Sequence, residues 1–329
     1  VSCGGDEYIL QSVNQNVFKN PEYILENTLI LKEYLRVNYP EYLFVSPLKS
    51  PEGDYLVKDE RGVIFRLLPF VLASKTIETV SDGKEAYEAA LQFGKFTALL
   101  AGFDPHSLHY TLPDFHNLQK RFLQFLEAKE KATTERSLMA EAAVSLAFKH
   151  EKIVQIYSEI VSKDLIPLRV IHHDTKISNV LFDAGCRGLC VIDLDTVMPG
   201  YFFSDVGDMM RTYLSPYNEE EGDLTKITIR HDILHQLAEG YLVHMASMLT
   251  STEKALFVYA GRFMIYMQAL RFLTDFLNND IYYPTSYPNH NLIRALNQFT
   301  LLERYLEAED SLSDILLPLL GANSGKLDR

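Results

Sequence analysis

Residues 172–179 read His172-His173-Asp174-Thr175-Lys176-Ile177-Ser178-Asn179. The chain enters this stretch from the β-branched run Arg169-Val170-Ile171 and leaves it through Val180-Leu181-Phe182. Asp183-Ala184-Gly185-Cys186-Arg187-Gly188 has the turn chemistry of a hairpin loop, and Leu189-Cys190-Val191-Ile192 the composition of the returning strand. Asp193-Leu194-Asp195 ends that strand. Polar residues at turns and strand ends are ordinary singly. An H-x-D-x-K-x-x-N loop followed by a strand-end aspartate is a more specific order.

That order is the one used for phosphoryl transfer in kinase-type sites. Moving a γ-phosphoryl group needs a carboxylate beside the attacking hydroxyl and a magnesium ion against the phosphates. Asp174 stands at the loop apex, and Asn179 turns back into the same cavity. The hairpin then carries Asp193 to the opposite side of the ion. Amide and carboxylate oxygens with retained waters suit magnesium, a hard cation that dehydrates reluctantly. Lys176 could neutralise charge on the transferring group. His172 reads as a brace for the loop rather than a proton carrier. His173 fills a position where protein kinases carry an arginine that reads activation-loop phosphate, so no such switch is expected. Asp205, near Gly207 and Asp208, is expected to accept backbone N–H bonds that fix the loop. Asp195 stays open as a second metal ligand, since strand alternation can turn it beside or away from Asp193.

Outward from this segment the pattern is mostly helical. Apolar residues at three-to-four spacing predict helices over 84–101, 114–130, 135–163, 231–249, 252–277 and 289–308. Toward the N-terminus it becomes mixed. Tyr8–Val13 reads as a strand, Pro21 opens a helix through Ile24, Leu31 and Leu35, and 55–58 with 63–68 form a hairpin around Asp59-Glu60-Arg61-Gly62. Pro69 ends that hairpin, and the segment to Asp82-Gly83 reads as a linker.

Among the 329 residues, 47% are hydrophobic, enough for a sizeable core and too many for a disordered polymer. A formal charge of −13 disfavours nucleic acid and polybasic membrane binding. No apolar stretch approaches the ~20 residues of a membrane span, and no leader pattern opens the chain, which begins at Val1. Three cysteines, Cys3, Cys186 and Cys190, are an odd and sparse set, as in a reducing cytosol, and predict neither a disulfide framework nor a zinc site. A cytoplasmic location is expected.

The catalytic segment resembles the loop and metal hairpin of the aminoglycoside phosphotransferase and choline kinase superfamily. Ile192-Asp193-Leu194-Asp195-Thr196-Val197-Met198-Pro199-Gly200, then Asp205-Val206-Gly207-Asp208 and Arg211, is similar to the bacterial N-acetylhexosamine 1-kinases. So are Tyr8-Ile9-Leu10-Gln11, Val17–Pro21, Pro113–Asn117 and Leu270–Leu277 with Tyr282 and His290-Asn291-Leu292. The resemblance implies an α+β, two-lobed protein-kinase-like fold. Residues 1–72 would form a small sheet lobe for the nucleotide, and 73–329 a helical lobe with the catalytic loop, metal and substrate site. It implies an ATP- and Mg2+-dependent kinase phosphorylating the anomeric hydroxyl of an N-acetylhexosamine. Asp174 would be the base, Asn179 and Asp193 the magnesium ligands, and Arg271 and Tyr282 sugar contacts. Other readings are a kinase of another sugar, an amino alcohol or an aminoglycoside, a magnesium hydrolase, or a non-catalytic nucleotide-binding relative.

Two departures accompany the resemblance. Kinase-type sites usually cover the phosphates with a glycine-rich hairpin and carry a lysine on the next strand. Only seven residues precede Tyr8, and Gly4-Gly5 reads as the turn between strands, so that hairpin is expected to be missing from this stretch. Gln11 stands where the strand lysine would be; it can hydrogen-bond a phosphate oxygen but carries no charge. Glu26 or Glu33, the helix glutamates that would pair with such a lysine, then lack a clear partner. The nucleotide base is expected at Arg66–Val71, between apolar walls from Leu68 and Phe70.

Overall fold

The computed structural model describes residues 1–3 and 5–321; Gly4, half of the expected Gly4-Gly5 turn, lies outside them. Four antiparallel strands open the chain: β1 (Ser2–Cys3), β2 (Asp6–Ser12), β3 (Val57–Lys58) and β4 (Ile64–Pro69), in sheet order β1-β2-β4-β3. Pairing of β2 with β4 sets Gln11 opposite Arg66 and Ile9 opposite Leu68, and alternation puts these four side chains on one face. The β3–β4 turn closes as its residue chemistry predicts: Asp59 Oδ1 accepts the N–H groups of Arg61 and Val63.

Helix α1 (Pro21–Asn38) begins with proline in its first turn, where no intrahelical N–H partner is lost. Its Ile24 joins Val13 and Ile64 in the small sheet core, while Leu31 and Leu35 join the main core. Buried Asn27 ties this helix to the large lobe, donating to the carbonyls of His109 (2.8 Å) and Val197 (3.1 Å) and accepting from the His109 N–H. Beyond β4 the linker is stitched to the catalytic hairpin, since Lys75 and Phe182 exchange both backbone hydrogen bonds at 2.9 Å.

The remainder is helical around two small ribbons. Helices α2 (Gly83–Leu99), α3 (Leu118–Lys131), α4 (Thr134–Met139), α5 (Glu141–Lys149) and α6 (Lys152–Ser162) precede strands β5 (Arg169–Ile171), β6 (Val180–Phe182), β7 (Gly188–Val191) and β8 (Met198–Gly200). Then follow α7 (Phe202–Tyr213), α8 (His231–Met245), α9 (Ser251–Ala255), α10 (Phe257–Leu277) and α11 (His290–Leu319). β6 pairs with β7 as the expected hairpin, and β5 pairs with β8, a strand the sequence pattern did not signal.

Several elements differ from expectation for identifiable reasons. The single stretch 135–163 is three helices, broken at Ala140 and around His150, which lets each segment pack separately against α10. Helix α3 starts at Leu118 rather than 114, because Asp114 adopts φ 59° and Asn117 caps the helix by accepting the Lys120 N–H. Helix α7 was not expected. It is buried on nearly every side, because its polar stripe, with Asp205 and Asp208, faces the loop of residues 172–179 rather than solvent. The main core centres on α10, packed by α3, α7 and α11, beside the close pair α2 and α8. Gly94 and Gly240 allow that pair to approach: a Cβ at Gly94 would lie 2.6 Å from the Tyr241 carbonyl oxygen, and one at Gly240 2.2 Å from that of Tyr87.

Candidate active site

The candidate catalytic loop, residues 172–179, runs from β5 into β6 and is held from beneath by α7. Asp205 accepts the backbone N–H groups of His172 (2.9 Å) and His173 (2.7 Å), one on each carboxylate oxygen. Asp208 accepts the Thr175 N–H at 2.9 Å and pairs with buried Arg211, itself 3.2 Å from Glu219. The Tyr213 hydroxyl donates to the Thr175 carbonyl. Burial pushes the Asp205 carboxyl up to about 6, against the lowering effect of these N–H donors. The expected loop-fixing role of Asp205 is thus met by observed bonds, and Asp208 joins it.

His172 braces the loop from inside. Its Nε2 lies 2.9 Å from the Ile192 carbonyl, which assigns the proton there and leaves Nδ1 to accept the Asp174 N–H at 3.4 Å. His173 sits at φ 67°, fully buried, and desolvation first, then His172, lower it to about 3, so it is neutral.

Asn179 closes on Asp174, its Nδ2 donating to the Asp174 carbonyl (2.9 Å) and to Oδ2 (3.1 Å). Lys176 Nζ lies 3.5 Å from Asp174 Oδ1, half-exposed, and that carboxylate is the main reason the ammonium is held above its ordinary range. The Ile192 N–H donates to the Asn179 carbonyl and so brings the end of β7 alongside the loop. Asp193 follows in a left-handed conformation, φ 58°. Burial and then the neighbouring charge of Asp195 hold its carboxyl above the usual range; Asp174 adds to this and Arg66 opposes it. Crowded carboxylates of this kind fit a divalent cation. No group of three or more His, Cys, Asp or Glu residues forms a metal cage among the described residues. One amide oxygen from Asn179 and one carboxylate from Asp193 still suit magnesium, which takes its other ligands from phosphates and water.

A cavity of about 490 Å3 lies between the sheet and this hairpin. Ile9, Gln11, Arg66, Leu68 and Phe70 line one side, and Asn179, Leu181, Ile192 and Asp193 the other. Gln11, Leu68, Phe70, Asn179 and Asp193 therefore share one cavity, and Asp174 and Lys176 meet at its Asn179 end. Arg66, which sequence reasoning treated only as part of a backbone segment, is a side chain of this wall. It is 6% exposed, donates through Nε and Nη2 to Gln11 Oε1 (3.0 and 2.7 Å), and places Nη1 2.5 Å from Asp195 Oδ1. Asp195 is thus turned to an arginine. Glu26 pairs with His109, and Glu33 with Arg36, both at the exposed surface.

Arg271 and Tyr282 come together outside that cavity. The Arg271 guanidinium lies over the rings of Phe115 (4.9 Å), Tyr283 (5.5 Å) and Tyr282 (5.9 Å), with Gln268 Oε1 accepting at 3.0 Å. No carboxylate pairs with it among the described residues. Arg121 is close enough that burial and then Arg271 lower it to about 10. The group abuts the catalytic loop, since the His173 ring lies 5.3 Å from that of His116 and 6.4 Å from that of Phe115. Asp275 shapes the segment carrying Tyr282, accepting the N–H groups of Tyr282 and Tyr283. Phe115, Arg121 and Tyr283 were not singled out as site residues, because an aromatic or arginine on a helical pattern reads equally well as core or surface.

Comparison with known proteins identifies the family and the fold. Residues 37–238 match the phosphotransferase enzyme family, and the chain belongs to that family. Among solved structures, an aminoglycoside phosphotransferase from Alicyclobacillus acidocaldarius superposes with a TM-score of 0.64 at 10% identity, over 95% of this chain and 87% of that one. A microcompartment-associated aminopropanol kinase superposes at 0.58 with 15% identity, over 93% and 88% of the two chains. A spectinomycin phosphotransferase in complex with ADP and spectinomycin does so at 0.53 with 16% identity, over 97% and 87%. The fold is the two-lobed, protein-kinase-like α+β arrangement that these enzymes share. Among the described residues no helix is long and apolar enough to cross a membrane.

Proposed function

We propose that this phosphotransferase is an ATP- and magnesium-dependent small-molecule kinase whose acceptor is a sugar hydroxyl, specifically the anomeric hydroxyl of an N-acetylhexosamine. The observation that carries the reading is the meeting of Asp174, Asn179 and Asp193 at one end of a cavity with apolar walls at Leu68 and Phe70. A spectinomycin phosphotransferase of the same fold holds ADP, which supports assigning the cavity to a nucleotide.

In this reading the acceptor hydroxyl lies against Asp174. As the oxygen–phosphorus bond forms, its proton passes to the Asp174 carboxylate, the bond to the bridging oxygen of ADP breaks, and ADP leaves. Lys176 keeps a positive charge beside the reacting oxygens. Asn179 positions the base through its amide and, with Asp193, would hold magnesium, which when bound neutralises charge on the phosphates. The protein does little covalent chemistry; positioning and electrostatics supply the rate.

Among acceptors, Arg271 and Arg121 favour a neutral polar molecule over an amino alcohol or an aminoglycoside, because two guanidinium groups with no carboxylate within ion-pair distance among the described residues repel a cation. Rings from Phe115, Tyr282 and Tyr283 offer faces on which a sugar ring can rest. The test is an assay with ATP and Mg2+ on N-acetylgalactosamine, N-acetylglucosamine, unsubstituted hexoses, an amino alcohol and an aminoglycoside, with ADP release as readout and phosphorus NMR of the product. An anomeric phosphate on an N-acetylhexosamine is expected. Preferred turnover of the cationic acceptors, or release of free phosphate alone, overturns the assignment.

A further inference from the structure

A nucleotide entering the cavity brings its polyphosphate toward Asp174, Asp193 and Asp195, in a protein whose formal charge is already −13. Magnesium offsets part of that repulsion, and kinase-type sites add a strand lysine braced by a helix glutamate. Neither half of that pair is present among the described residues. Gln11 occupies the strand position, and the α1 glutamates Glu26 and Glu33 are engaged at the surface by His109 and Arg36. Helix α1 is fixed instead by Asn27, through bonds that involve no charge.

Two cations line the cavity, Arg66 and Lys75. The Lys75 ammonium turns away to the Sγ of half-buried Cys186, 3.1 Å distant. Arg66 is buried on the strand next to Gln11, in direct register with it. Of its five N–H donors, that of Nε and one of Nη2 are taken by Gln11 Oε1, while Nη1 forms an ion pair with Asp195 Oδ1. Hydrogens on both Nη atoms remain without an acceptor among the described residues, and a guanidinium with free N–H groups suits a phosphate. Gln11 and Asp195 grip the guanidinium from two sides, so its orientation is set before any ligand arrives.

We propose that Arg66 is the cation that binds the nucleotide's phosphates, with Gln11 and Asp195 as its positioning residues, so that cation and brace are both transposed relative to the lysine–glutamate arrangement. The inference rests on the nucleotide reading of the cavity. It makes the cation part of the metal hairpin's charge network rather than of helix α1, so movement of α1 does not gate it.

The test is calorimetric binding of MgATP and of adenosine to the full chain. Arg66→Gln should weaken MgATP by about 10–100-fold, the range for one charge-assisted contact, and leave adenosine within twofold. Because Arg66→Gln strands a buried Asp195, Gln11→Glu provides a size-matched second variant. It keeps Arg66 paired but diverts its charge, and should weaken MgATP by about tenfold with adenosine unchanged. Adding Gln11→Lys to Arg66→Gln should recover part of the MgATP affinity. Equal losses for MgATP and adenosine, or MgATP affinity within twofold of wild type in both single variants, overturns the assignment and leaves Arg66 a purely structural partner of Asp195. A wild-type chain that binds adenosine and MgATP equally well also refutes it, whereas one that binds neither overturns the nucleotide reading itself.

Discussion

Asn179 holds Asp174 twice, at the backbone carbonyl and at Oδ2, so the proposed base and the proposed metal ligand are one rigid unit. Replacing Asp174 by Asn keeps that shape and removes the proton acceptor. Turnover should fall by about 10²–10⁴, the usual contribution of general-base catalysis, with MgATP affinity nearly unchanged. Steady-state rates within a few-fold of wild type would remove Asp174 from the chemistry.

Asp193→Asn should act on the metal. The neutral amide relieves the crowding with Asp195 and Asp174 but weakens the hold on a divalent cation. The expected result is a kcat lower by about 10²–10³, comparable to removing one preorganised electrostatic contact, together with a higher Mg2+ requirement. A magnesium titration of activity that superimposes on wild type would contradict this.

Arg271→Ala should separate acceptor from nucleotide. The residue lies among Phe115, Tyr282 and Tyr283, outside the cavity proposed for ATP. Acceptor kcat/KM should drop by about 10–100-fold, the range for losing a charged hydrogen bond, with ATP KM unmoved. An equal change in both constants would place Arg271 elsewhere in the mechanism.

His173 gives the fold a pH dependence of predictable sign. Its value in the folded protein, about 3, is below the ordinary 6.5, so the folded state keeps it neutral. As pH falls below 6.5 the unfolded chain takes up a proton that the folded chain refuses, and stability is lost progressively down to about 3. Asn tolerates the positive φ at this position. Melting temperatures of wild type and His173→Asn should therefore converge as pH falls from 7 to 4; a constant gap would show that His173 does not titrate in this way.

Gly200 ends β8 against the catalytic loop. A Cβ there would stand 2.4 Å from His173 Nε2 and 2.6 Å from Ile171 Cδ1, both buried. Gly200→Ala should destabilise the protein by about 1–3 kcal/mol, as overpacking does. Activity should fall beyond the loss of folded protein, because the displaced residue adjoins Asp174. Thermal denaturation and specific activity per folded molecule measure the two effects.

Much of the catalytic hairpin was legible because its signals are local. Asp174, Asn179 and Asp193 lie within twenty residues, and β-branched runs and turn residues mark the strands between them. The β3–β4 turn was readable for the same reason, as Asp59 bonds only within its own turn. Helix α7 was not, since its polar stripe is buried against the loop of residues 172–179, so Asp205 and Asp208 read as loop chemistry rather than as a helix face. The long stretch 135–163 misled because its breaks answer to contacts with α10 rather than to a breaker residue.

Arg66 marks the boundary between the two kinds of knowledge. Sequence alone determined the order of base, amide and aspartate, the sheet-then-helices layout and the absence of a lysine at position 11, because each is a property of neighbouring residues. Only tertiary structure decided what fills that absence. Register between β2 and β4 sets Arg66 beside Gln11, and the turn after β7 delivers Asp195 from 129 positions further along the chain. A charge interaction depends on distance in space, and chain folding, not chain order, makes that distance short.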